Sequence, residues 1–128
     1  GGTTAAYIHQ GNKLATIVAF KEENVDYQVA RDIAMQIAAM NPIAIDRASV
    51  PAHIIETELE IGREKAREEG KPENIIDKIA EGRLNKFFQE SVLLEQTSVK
   101  DNKITIGEYL KANNATIIDF KRVSLNLE

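Results

Sequence analysis

An α+β fold is expected of this chain: a three-stranded antiparallel sheet covered on one face by helices, with a protruding antiparallel helical hairpin. Three observations predict it. Two β-prone runs, Tyr7-Ile8-His9 and Leu14 to Phe20, flank Gln10-Gly11-Asn12-Lys13, whose Gly-Asn pair supplies turn chemistry. From Pro51 to Leu94, two stretches of helical periodicity are joined by Glu69-Gly70-Lys71-Pro72-Glu73. Near the end, Thr116 to Leu125 turns to a period of two, the pattern of a strand, and it is expected to pair with the opening hairpin.

Taken in order, Gly1 to Ala6 is small and flexible and reads as a linker; it has no charged n-region or apolar h-region and is not a signal peptide. Lys21-Glu22-Glu23-Asn24 leads out of the second strand, and Asp26 suits the N-cap of a helix over Tyr27 to Met40. In that helix Val29, Ile33, Ile37 and Met40 form one stripe and Ala30, Ala34 and Ala38 a second. It is therefore expected at the centre of the core, covered on more than one side, with Gln36 a polar residue on its rim. Asn41-Pro42 ends it, because the residue before a proline is driven out of helical geometry. Asp46 or Ser49 is placed to cap the next helix, with Pro51 near its first turn.

In the first arm of the hairpin Ile55, Leu59, Gly62 and Ala66 recur at spacings of four, three and four, and Ile76, Ile79, Ala80, Arg83 and Phe87 mark the second. Gly70 can take the left-handed conformation that ends a helix, and Pro72 lacks the N–H that continuing it would need. The outer faces are charged; Glu56, Glu60 and Glu64 are interleaved with Lys and Arg and read as a solvated face rather than a carboxylate site. One apolar stripe per helix suits a single partner helix, so the pair is expected to project, with Gly62 and Gly82 facing each other. Glu90 to Asp101 loses periodicity and reads as a loop or edge segment, with Lys100 to Lys103 an exposed turn. Thr105 and Glu108 have capping-box spacing and open a short helix carrying Ile106, Tyr109 and Leu110, ended by Asn113-Asn114. In the final strand Ile118, Phe120, Arg122 and Ser124 are expected on one side, and Asp119, Lys121, Val123 and Leu125 on the other.

At 128 residues the chain is expected to be one domain, 1–128, with the arm at 51–94 inside it. A charged fraction of 28% with 43% hydrophobic residues suits a soluble globular protein. The absence of cysteine excludes a disulfide scaffold, a thiol nucleophile and thiolate zinc sites, and agrees with a cytoplasmic location. A net charge of −4 argues against nucleic acid as the partner, and no apolar run marks a membrane segment; a protein partner is expected. Phosphate-cradling glycine loops, the dinucleotide fingerprint, paired-histidine zinc helices and the nucleophile elbow are all missing. His9 and His53 lie in different elements, so no metal, cofactor or catalytic group is assigned.

Five short motifs occur in one order: Tyr7-x-His9 before a glycine turn; Asp32 to Ala39 followed by Asn41-Pro42; Gly70-Lys71-Pro72-Glu73; Glu81-Gly82-Arg83-Leu84-x-Lys86-Phe87; and Leu93-Leu94-Glu95-Gln96. Together they resemble bacterial elongation factor Ts, from about Tyr7 to Leu125, in the C-terminal part of that family's core, the dimerisation domain with its coiled-coil arm. The resemblance implies a guanine-nucleotide exchange factor that binds the GTPase elongation factor Tu and speeds release of GDP without an active site. A protein that holds the nucleotide-free GTPase better than the GDP-bound one must lower nucleotide affinity by the same factor. This half is then expected on the third domain of elongation factor Tu, with the arm reaching toward the nucleotide-binding domain.

By position, the resemblance implies partner contacts at Tyr7 and His9 and at Val99 and Lys100, with Gly70, Lys71 and Pro72 forming the hairpin turn. Two departures stand out: Gln96 is followed by Thr97 and Ser98 where the family often has Pro-Phe, and Gln36 replaces a frequent histidine. The family's N-terminal helical module and its Thr-Asp-Phe-Val segment have no counterpart, so the chain is expected to be an excised part that docks and dimerises rather than exchanging fully. The alternative is a homodimerising interaction module using the Ala-rich helix or the arm as a self-complementary surface.

Overall fold

The computed structural model describes residues 2–9, 11 and 13–124, the side chain of His9 excepted. Strand β1 (Thr3–His9) pairs antiparallel with β2 (Leu14–Phe20), and β2 pairs antiparallel with the last strand, so the sheet order is β1-β2-β3 with β3 at Ile117–Ser124. The opening is not the linker its small residues suggest: Thr3 to Ala6 face Phe20 to Ile17 in register. Gly11 takes φ +63° in the hairpin turn, the left-handed conformation a tight turn requires; Gln10 and Asn12 of that turn, and Leu125 of the last strand, lie outside the described residues.

Helix α1 (Tyr27–Met40) begins where expected, its first turn capped by Asp26 accepting from the Gln28 N–H at 2.8 Å, and ends at Asn41 in the left-handed region. Its alanine stripe is buried, Ala34 fully so, which lets the helix lie close enough to β2 for the Thr16 hydroxyl to donate to the Ala34 carbonyl at 2.9 Å. Val18, Phe20, Ile33, Ile37, Leu93, Ile106, Leu110 and Ile117 make the main core around it. Each fully buried Ile or Leu there contributes about 1.5–3 kcal/mol.

Three corrections concern faces and a cap. β3 carries a bulge: Ala19 pairs with Asp119 but Phe20 with Ile117, so Ile118 is extruded and 58% exposed while Ile117 enters the core. Asp46 caps a 3₁₀ turn, Arg47–Ser49, rather than the helix after it; α2 (Ala52–Glu68) starts beyond Pro51 with no side-chain cap. In α3 (Glu73–Ser91) the buried residues are Ile76, Ala80 and Phe88, whereas Arg83 is exposed.

The two arm helices pack along their length and reverse at a Schellman corner, with Gly70 at φ +77°, its N–H donating to Arg67 O at 2.9 Å and that of Lys71 to Ala66 O at 3.0 Å. Gly62 is the close-approach position, but it faces Ala80, not Gly82, which is exposed on open space. At the arm's base residues 43–45 lie beside 91–94, with Ile43, Leu93 and Leu94 joined through Ser91, Ala44 and Ile45. A second core of Ala44, Val50, Phe88 and Val92 fills that junction. α4 (Ile106–Ala112) opens with the complete Thr105–Glu108 capping box and packs on the 3₁₀ turn Leu93–Glu95.

Candidate protein-docking surface

Residues 96–104 form a loop that is held from beneath. Gln96 and Gln36 are both about 1% exposed, an unusual burial for an amide side chain. The Gln36 carbonyl accepts from Val99 N–H at 2.8 Å, and its NH2 donates to Thr97 O at 3.0 Å and to Gln96 Oε1 at 3.2 Å; Gln96 in turn donates to Glu90 O at 3.0 Å. The Ser98 hydroxyl oxygen accepts from the N–H of Lys100 and of Asp101, both at 3.1 Å, which folds the tip back on itself. Val99 is left 47% exposed on this braced loop. Gln36 is therefore no rim residue; it lies inside, where α1 meets the loop.

Lys100 points back to its own chain. Its ammonium lies 3.2 Å and 3.3 Å from the two Asp32 carboxylate oxygens. Asp32 also accepts from Tyr109 Oη at 2.6 Å and Gln28 Nε2 at 2.8 Å. Burial pushes the Asp32 carboxyl up, but the hydrogen bonds from Tyr109, Gln28 and Lys100 outweigh it and hold the group below its ordinary value. Burial and the same carboxylate drive the Tyr109 hydroxyl well above the ordinary tyrosine range.

Tyr7 is half-buried on the inner side of β1, with the Arg31 guanidinium 5.2 Å from its ring centroid. His9 closes the strand opposite Leu14; its side chain lies outside the described residues. Tyr7 and Lys100 thus both reach α1, at the adjacent residues Arg31 and Asp32, which point about 100° apart around the helix. Gly70, Lys71 and Pro72 lie at the exposed far end of the arm.

The arm is fastened electrostatically at intervals. Arg63 on α2 bonds Asp77 on α3 at 2.9 Å, and Arg67 lies 3.5 Å from Glu73 beside the corner. At the base Arg47 binds Glu95 through two nitrogens, donates to Asn85 Oδ1 at 2.7 Å, and stacks 4.7 Å from the Phe88 ring centroid. The hydrogen bond that Arg47 donates to Glu95 leads the causes that raise the Arg47 pKa. Sequence reasoning missed both Arg47 and the Gln36–Gln96 pair; an arginine just before a helix and a glutamine among alanines carry no local signal of partners 48 and 60 residues away.

A family model described as Elongation factor TS matches residues 1–126. The chain belongs to the elongation factor Ts family. Among its relatives, elongation factor Ts of Azobacteroides pseudotrichonymphae is 58% identical over 127 residues, covering 98% of this chain and 46% of the relative. The elongation factor Ts of Porphyromonas gingivalis is 53% identical over 130 residues, 100% of this chain and 47% of the relative, and that of a Hydrogenobaculum strain 45% identical over 124 residues, 97% and 45%. The chain therefore spans about half the length of these elongation factor Ts relatives. No helix among the described residues is long and apolar enough to cross a membrane.

One more surface bears on association. The sheet face turned away from α1 carries Ile8, Ile17, Ile118 and Val123, all between 45% and 58% exposed. Ile8, Ala15 and Val123 are neighbours across the three strands. The Ala-rich stripe of α1, offered as a self-complementary surface only in the alternative reading, is buried in the chain's own core, as expected of that helix.

Proposed function

We propose that this chain is the docking part of a guanine-nucleotide exchange factor that binds the GTPase elongation factor Tu and favours its nucleotide-free state. The observation that carries the reading is the match to elongation factor Ts along residues 1–126. Two features support it: an exposed valine on a braced loop, and a projecting arm whose reach is set by helix length rather than by a cleft. Tyr7, His9, Val99 and Lys100 are proposed as the partner-facing positions, with Tyr7 and Lys100 working through their α1 neighbours as much as by direct contact. The Gly70-Lys71-Pro72 corner is the part of the arm that meets the GTPase's nucleotide-binding domain. The exchange factor is a binding protein, acts in the cytoplasm, and needs no cofactor, nucleic acid or membrane.

Because the chain covers about half of its relatives, it is expected to bind elongation factor Tu and to accelerate GDP release little. Pull-down with nucleotide-free elongation factor Tu, comparing the parent chain with His9→Ala, tests the binding; stopped-flow release of a fluorescent GDP tests the activity. Absence of any capture would overturn the reading, and release as fast as with an intact relative would overturn the division of labour.

A second reading is favoured by the open sheet face: association of two copies through Ile8, Ile17 and Val123. Light scattering across concentration decides it, and a monomer mass throughout would remove it.

A further inference from the structure

Gln36 is chemically out of place. An amide taken from water into a core costs free energy unless its donors and acceptor are all engaged, and an apolar side chain of the same size would fill the space without that risk. What Gln36 holds is specific: the Thr97 carbonyl and the Val99 N–H, two backbone groups of a segment that has only the isolated Thr97–Thr105 bridge as regular structure. One helical turn earlier on α1, Asp32 holds the side chain of Lys100. The loop is thereby fixed at three successive points, while Val99, the apolar residue between them, is left out in solvent. A surface valine on a loose loop would have to be ordered when a partner arrives; here the ordering is done on folding.

We infer that Gln36 is a positioning residue for protein docking: its buried amide fixes the backbone at residues 97–99 so that Val99 is presented to the partner in its bound conformation. Lys100 belongs to the same device, tying the loop to Asp32 while its side chain stays 56% exposed toward the partner. The inference rests on the assignment of Val99 to the elongation factor Tu contact made above, and its test separates the two.

The test is a double-mutant cycle in affinity for nucleotide-free elongation factor Tu, using the parent chain, Gln36→Leu, Val99→Ala and the double variant. Amide hydrogen exchange of each chain is followed alongside. Gln36→Leu is expected to keep the Ile33 and Ile37 amides protected, to speed exchange at Val99, and to weaken binding about tenfold as the competent fraction of the loop falls to about a tenth. In the Val99→Ala background the same change is expected to cost little more, because the residue being positioned is gone. An equal loss in both backgrounds would make Gln36 merely structural and overturn the inference while leaving the docking assignment intact. Unchanged affinity of Gln36→Leu with a freed Val99 amide would also overturn it. Parent-like binding by Val99→Ala alone would overturn the assignment of Val99 and the inference with it. Should Gln36→Leu fail to fold, Gln36→Met, closer in shape to glutamine, removes the same hydrogen bonds to Thr97 and Val99, and the same cycle with Val99→Ala decides.

Discussion

Alanine at Gly62 and at Gly82 should move stability in opposite directions, although both glycines lie inside arm helices with ordinary helical φ. A methyl group at Gly82 meets nothing within 4 Å, so the change removes only glycine's helix penalty and should stabilise the chain by about 0.5–1 kcal/mol. At Gly62 the new Cβ would lie 3.1 Å from Ala80 Cα and 3.2 Å from Ala80 Cβ. Backbone cannot swing aside as a side chain can, so α3 as a whole has to shift by a few tenths of an ångström. Overpacking of this kind costs about 1–3 kcal/mol, and the propensity gain of about 1 kcal/mol offsets only part of it. The net expectation is a loss of about 1 kcal/mol, and a gap of roughly 2 kcal/mol between the two variants. Urea unfolding followed by far-ultraviolet circular dichroism reads both midpoints. Equal stabilisation by the two substitutions would refute the close approach of α2 and α3 at Gly62.

Three further outcomes are expected. Gly70→Ala, forced to hold φ +77° in open space, should lose about 1–2 kcal/mol in urea unfolding, and Gly70→Asn less. Thr105→Ala removes the hydroxyl that accepts from Glu108 N–H at 3.2 Å and should cost about 1 kcal/mol by the same assay, with Thr105→Ser nearly neutral. Asp32 has a folded pKa below its unfolded value, so its contribution is fully present above the unfolded carboxyl value of about 3.9 and is lost as pH falls through the lower folded one. Asp32→Asn should therefore flatten the acid limb of a stability–pH curve while lowering stability at pH 7; an unaltered acid limb would show that the carboxyl is not held low.

How far the sequence could be read depended on the range of each signal. The Gly70–Pro72 corner, the Asp26 cap and the Thr105–Glu108 box were legible because each is settled within a few residues, and all appear as expected. The α1 stripes were legible because periodicity reports burial whatever does the burying. Thr3 to Ala6 reads as a linker because glycines and alanines, poor strand formers, surround its two β-prone threonines; pairing with Ile17 to Phe20 makes it a strand. The bulge that turned Ile118 outward is a property of two strands together and left no mark in either. Of the candidate site, Val99 is named only through the family resemblance and the structure leaves it exposed, whereas nothing in the sequence points to the residues behind it. A glutamine in a helix reads as polar surface until the loop that satisfies it, about 60 residues on, is in place.

β2 lies between β1 and β3, with Leu14 opposite Ser124, whereas the arm closes through pairs such as Arg63 and Asp77. During synthesis the arm can zip up as soon as Ser91 has cleared the ribosome, but the inner strand must wait for Ile117–Ser124 with one flank bare. That waiting edge is where nascent copies would snag on one another, and the charges at Asp119, Lys121 and Arg122 sit on the strand that finally covers it.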